Sequence, residues 1–287
     1  MIKFLKLLIK ALLKTLGIGR VINVVRRYKL AKSYYTNQLK MIRKWSFKDT
    51  EDYNFYYDIT DLNIEHTMHA IAVITQDNVQ IIEKYIKEIR NDTWLKNFVS
   101  ENLKNLSIKK DIKVEFSRRV GWYAFTRALK PKIIVETGVD HGLGACVLTR
   151  ALMRNNDEGF KGKYFGTEID RSMGKLFQSP LKDFGQILYG DSLESLSKLN
   201  CEVDLFINDS DHSASYEFKE YELIIHKLSH KAIILGDNSH VTNALSKFSM
   251  RNGRNFIFIP EKPKNHWYPG AGIGVSSPRI EKKETKF

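Results

Sequence analysis

The feature that most constrains this chain is a regular alternation, beginning after Val120, of short apolar runs with helix-compatible stretches. The runs are Lys132 to Glu136, Lys163 to Glu168, Gln186 to Tyr189, Val203 to Asn208, Ala232 to Leu235 and Asn255 to Ile259. Gly144 to Asn155, Ser172 to Phe177 and Tyr216 to Leu228 read as helices between them. Short, almost continuously apolar strands separated by helices specify an α/β, Rossmann-like, mostly parallel sheet with helices on both faces. In such sheets ligands bind beyond the carboxyl ends of the strands, so the residues just after each run carry the functional information.

At 287 residues the chain holds one such domain and a smaller appendage. We place a basic amphipathic arm at 1–48, a helical accessory region at 49–114 and the α/β domain at 115–287. Within the accessory region, Val79, Ile82, Tyr85, Ile86 and Ile89 recur at helical spacing. Asp92 then stands as a cap before a second helix carrying Trp94, Leu95, Phe98, Val99 and Leu103. The only cysteines are Cys146 and Cys201, too few for a disulfide framework, which points to a reducing, cytoplasmic setting.

The net charge of +13 belongs to one segment. Residues 1–48 hold nine Lys and four Arg with no acid, so the remainder of the chain is neutral and a nucleic-acid role is disfavoured. In Met1 to Leu16, Lys3, Lys6, Lys10 and Lys14 form one helical stripe beside a broad apolar face. The lysines interrupt any run of the ~18 apolar residues that a membrane span requires. Such a helix suits the headgroup plane of an anionic membrane, with residues 1–29 as the contact and a peripheral location as the consequence. A helix docked on the protein or on a partner, or a transit peptide, has the same pattern.

The first strand runs into Glu136-Thr-Gly138-Val-Asp140-His-Gly142-Leu-Gly144, a glycine-rich turn before a helix. It lacks GxGxxG spacing, which counts against a nicotinamide enzyme. The second strand ends at Glu168, where a carboxylate would accept both hydroxyls of a ribose. The third ends at Asp191 and Ser192, placed for an adenine edge. The fourth and fifth end at Asp209 and at Asp237-Asn238, whose oxygens could converge above the sheet, although both aspartates could equally cap helices. His212, in an Asp-x-Asp-His turn, could act as a general base, with His240 a weaker candidate, while His141 could cover a bound cofactor. Trp267 and Tyr268, in an aromatic turn-rich loop, could contact an acceptor.

From about Val120 to Val275 the chain resembles class I S-adenosylmethionine (SAM)-dependent methyltransferases, and among them small-molecule O-methyltransferases of the macrocin and catechol type. The resemblance is carried by Gly121 to Pro131, the Glu136 loop, the Glu168 and Asp191 strand ends, Asp209-Ser-Asp-His212, Tyr216-Glu217, Asp237-Asn238 and Asn243 to Phe248. It implies a helical region before the sheet and an antiparallel final strand. It also implies SAM contacts from Glu136, Gly138, Gly142, Glu168, Asp191 and Ser192. His212 and Asp209 would be catalytic, and Asp209, Asp237 and Asn238 would hold Mg²⁺ or another divalent metal. Asp140 departs from the glycine found there in many class I enzymes. The expected activity is O-methylation of a small-molecule, saccharide or lipid-linked acceptor at a membrane surface, by a chain that could be a homo-oligomer. The competing expectation is a catalytically silent SAM-fold scaffold recruited by its arm.

Overall fold

The computed structural model describes residues 18–47, 57–106, 113–237 and 239–279. The Met1 to Leu16 stripe and Asn238 lie outside them. The chain divides into two compact units, one of residues 1–49 with 265–267 and one of the remainder. In the first, helix α1 (Ile18–Ser46) carries eight bases and no acid. Val21, Val24, Tyr28, Tyr35 and Leu39 are exposed along it. Trp45, near its end, lies with its ring centroid 5.4 Å from that of Trp267. Among the described residues no helix is long and apolar enough to cross a membrane.

The second unit begins with three helices, α2 (Asp61–Thr75), α3 (Val79–Arg90) and α4 (Thr93–Asn105). The helical spacing read in α3 is its buried face: Ile82, Tyr85, Ile86 and Ile89 point inward. Asp92 caps α4 by accepting the Leu95 N–H at 2.8 Å, and its other oxygen accepts Arg150 Nε at 2.7 Å. The predicted cap therefore also ties this region to the α/β core.

Helix α5 (Arg119–Leu129) then leads to a seven-stranded sheet of β1 (Ile133–Thr137), β2 (Lys163–Glu168), β3 (Gly185–Tyr189), β4 (Val203–Asn208), β5 (Leu228–Gly236), β6 (Asn255–Pro260) and β7 (Gly272–Ser277). The order is β3-β2-β1-β4-β5-β7-β6, with β7 antiparallel to both its neighbours. Helix α6 (Leu143–Asp157) covers one face together with α2 to α5, around Ile134, Trp122, Leu148 and Tyr164. Helices α7 (Ser192–Lys198), α8 (Ala214–Ile224) and α9 (Ala244–Arg251) cover the other, around Val135, Phe206, Tyr221 and Phe248. Each large apolar side chain fully buried in this way contributes about 1.5–3 kcal/mol.

Within α5, Arg127 is buried against Glu88 at 3.0 Å and Glu158 at 2.6 Å, and it also donates to Asn155. Asn155 Nδ2 in turn donates to the Thr126 carbonyl at 3.0 Å, so the charge is held in a satisfied network.

One expected helix is absent. Ser172 to Phe177 is an irregular loop, because its backbone donors are used elsewhere: Gly174 N–H donates to Asp140 O at 2.6 Å and Leu176 N–H to His141 O at 3.0 Å. The segment is bound to the loop after β1 and makes only isolated turns of its own, Met173 N–H donating to Asp170 O at 3.0 Å and Phe177 N–H to Gly174 O at 3.1 Å.

Candidate functional site

Sheet register sets the level at which the strands end. Thr137 pairs with Thr167 on one side and Asn208 on the other, Asn208 pairs with Gly236, and Glu168 pairs with Tyr189. The residues that follow are therefore neighbours: Gly138 N–H donates to Thr167 O at 3.0 Å and Gly190 N–H to Glu168 O at 2.8 Å. Asp209 N–H donates to Thr137 O, and Asp237 N–H to Asn208 O, both at 2.9 Å. Gly138, Glu168, Gly190-Asp191, Asp209 and Asp237 thus share one edge.

Gly138 has φ of +81°, and a Cβ there would lie 2.1 Å from the Asp209 carbonyl oxygen. No other residue fits that backbone without displacing the β4 end. Gly142 is the N-cap of α6, and its carbonyl accepts the Cys146 N–H at 3.0 Å. Glu168 is buried, and its two oxygens are shared between two loops: Oε2 accepts Asp140 N–H at 2.8 Å and Oε1 accepts Asp170 N–H at 2.9 Å. Each oxygen keeps a second lone pair for a ligand.

Glu136 lies deeper, 1% exposed, and accepts the Tyr164 hydroxyl. Burial raises its pKa to about 8, against the hydrogen bond from Tyr164 and the charge of Arg119.

Asp191 caps α7 by accepting Leu193 N–H at 2.7 Å, and the same oxygen accepts the Tyr216 hydroxyl at 3.0 Å. Ser192 is buried and donates to Glu220. Glu220 also accepts from Asn208 Nδ2, Ser210 Oγ (2.7 Å) and Thr137 Oγ1 (3.3 Å). This acid braces the ends of β1, β3 and β4 from beneath, and burial raises its pKa. It escaped the sequence reading, although an acid on the helical face shared with Glu217, Tyr221 and Ile224 marks an inward-facing carboxyl.

Asp209 and Asp237 do come together, and they are joined there by Arg118, which the sequence reading missed. The Arg118 Nε and Nη2 atoms donate to the two oxygens of Asp237. Burial and the charge of Asp237 hold Asp209 well above the usual carboxylate range. Asp237, which burial alone would raise, is kept below that range by Arg118. Both oxygens of Asp237 are taken by the Arg118 guanidinium, so the pair as it stands does not fit a divalent cation. Among the described residues, no group of three or more His, Cys, Asp or Glu could hold a metal ion. Asn238, the third residue of the expected metal site, lies outside the described residues.

His212 is exposed on the loop between β4 and α8, beside Asp211, whose carboxylate is kept low by hydrogen bonds from Ser213. His240 is exposed, with Nδ1 3.2 Å from the Asp237 carbonyl. Tyr268 packs on Tyr57 with ring centroids 5.9 Å apart. A surface groove of about 790 Å³ runs along the outer side of β3, lined by Arg171, Tyr189, Glu194, Lys198 and Cys201, away from the Asp209–Asp237 end of the site.

Residues 135–239 match the family model described as a methyltransferase domain. No curated protein matches the sequence significantly. Among solved structures, the chain is similar to a Klebsiella pneumoniae protein assigned as an O-methyltransferase: 15% identity, 70% of this chain and 97% of that one, TM-score 0.50. It is similar also to the cofactor-bound Rv0187 protein of MTB, with 14% identity over 70% and 97% of the two chains and a TM-score of 0.50. The SAH-bound methyltransferase PaMTH1 of Podospora anserina is 16% identical over 69% and 94%, with a TM-score of 0.49. At these identities the likeness speaks for the fold alone.

Proposed function

We infer, from the match of residues 135–239 to a methyltransferase domain, that the chain moves a methyl group from SAM to a hydroxyl oxygen of a small-molecule, saccharide or lipid-linked acceptor at a membrane surface. The observation that carries the reading is the shared edge formed by Gly138, Glu168 and Gly190-Asp191. On this reading a nucleoside occupies that edge. Gly138 and Gly142 would line the methionine part and the start of α6, Glu168 would take the ribose hydroxyls with its spare lone pairs, and Asp191 with Ser192 would border adenine. Glu136, beneath the loop, would support that wall.

The sulfonium of SAM is a good leaving group, so the protein's task is to align the acceptor oxygen with the methyl carbon and to accept its proton. We assign the proton to His212. Asp209, which burial and the charge of Asp237 hold well above the usual carboxylate range, supports the site and is not assigned as the base.

The O-methyltransferase assignment of the Klebsiella protein, added to the family match, favours oxygen as the acceptor atom. The membrane part rests on charge: the segment 1–48 has thirteen bases and no acid, and Arg20, Arg26, Arg27 and Lys29 sit on α1 among exposed Val21, Val24 and Tyr28. A homo-oligomer is compatible with the same exposed helix.

The test is incubation of the full-length chain with methyl-labelled SAM and separate membrane, saccharide and small-molecule extracts. Label recovered in an alkali-stable ether in one fraction supports the reading. Tight SAM binding with label in none favours the silent scaffold.

A further inference from the structure

Arg118 immediately precedes α5 and is held from two sides. Its side chain is 11% exposed, against 2% for Asp237 and 1% for Glu261. Besides its two-pronged pairing with Asp237, Nη1 lies 3.8 Å from Glu261 Oε2, and the Arg118 backbone N–H donates to Glu261 Oε1 at 2.8 Å. Glu261 Oε2 also accepts the Ala271 N–H at 3.0 Å, so the acid that fixes Arg118 is itself fixed to the loop before β7. A guanidinium is planar, cannot lose its proton in a protein, and matches a carboxylate with two parallel N–H donors. A divalent ion at Asp209 and Asp237 would have to displace this fork or lie beside it against like charge.

We propose that Arg118 is the permanent cation of this site: it holds Asp237, and through it Asp209, in the place where the resemblance assigns a divalent metal, and the cofactor cleft is complete without one. Arg118 is thus a positioning residue. The inference rests on the SAM reading of the cleft, and its test separates the two.

Full-length parent and Arg118→Gln chains, stripped with chelator, are titrated with MnCl₂ while free Mn²⁺ is followed by electron paramagnetic resonance, and with SAH in a calorimeter with and without chelator. We expect the parent to bind no Mn²⁺ below about millimolar concentration and its SAH affinity to be unchanged by chelator. Arg118→Gln, which leaves Asp237 without its cation, should gain Mn²⁺ affinity of about tenfold or more. Micromolar Mn²⁺ binding by the parent, a loss of SAH affinity on chelation, or a folded Arg118→Gln chain with no gain in Mn²⁺ affinity overturns the proposal. Should Arg118→Gln not fold, the parent titrations decide it. Failure of the parent to bind SAH at all contradicts the SAM reading, while its Mn²⁺ titration still decides the role of Arg118.

Discussion

Glu168, at the end of β2, holds the backbone of Asp140 at 2.8 Å, and Asp140 is one of the few non-glycine residues with positive φ, at 50°. The carboxylate thereby fixes the path of the loop after β1 at the residue where many class I enzymes have glycine. Changing Glu168 to Gln exchanges one acceptor for a donor that faces an N–H. We expect Glu168→Gln to fold but to bind SAH about tenfold more weakly or worse, measured by calorimetry, because a charge-assisted bond and a diol acceptor are lost together. Unchanged affinity would remove Glu168 from the cleft.

Gly138→Ala places a methyl group against the Asp209 carbonyl at a φ of +81°. The strain and the clash together should lower stability by about 2 kcal/mol or more in urea unfolding, and SAH affinity should fall with the displaced loop.

Glu136 supplies a pH signature. Its pKa is about 8 in the folded chain against 4.5 ordinarily, so the native state keeps a proton that the unfolded chain has released. Stability from this group therefore falls as pH rises from about 4.5 to 8 and changes little beyond. Glu136→Gln, which mimics the neutral acid, should remove that slope. The variant's thermal midpoint should match the parent's near pH 4 and exceed it increasingly toward pH 8. A constant difference across this window contradicts the assignment.

His212→Ala should cut methyl transfer to the acceptor found in the extract screen by about a hundredfold or more while SAH affinity stays the same. Near-normal transfer would place the base elsewhere.

Much of this architecture could be read from the amino-acid order because it rests on local patterns. The continuous apolar runs of Val203–Asn208 and Lys163–Glu168 became strands at the expected positions, and Asp92 became a cap. The Ser172 to Phe177 loop was misread because its fate depends on partners thirty or so residues earlier, Asp140 and His141, that no helical periodicity reveals. The same limit hid Arg118: its partners Asp237 and Glu261 are distant in sequence, and only folding shows that Asp237, one of the expected metal-binding carboxylates, is already paired with a guanidinium. Ser192 was legible as a strand-end residue but not as a donor to Glu220, since that bond needs α8 packed beneath the sheet edge.

The central claim, that one nucleoside spans Gly138, Glu168 and Asp191, is tested most directly by calorimetric titration of the full-length chain with SAH and, separately, with NADH. The account predicts saturable SAH binding that Glu168→Gln weakens, with no heat from NADH. Saturable NADH binding, or no SAH binding at millimolar ligand, would contradict it.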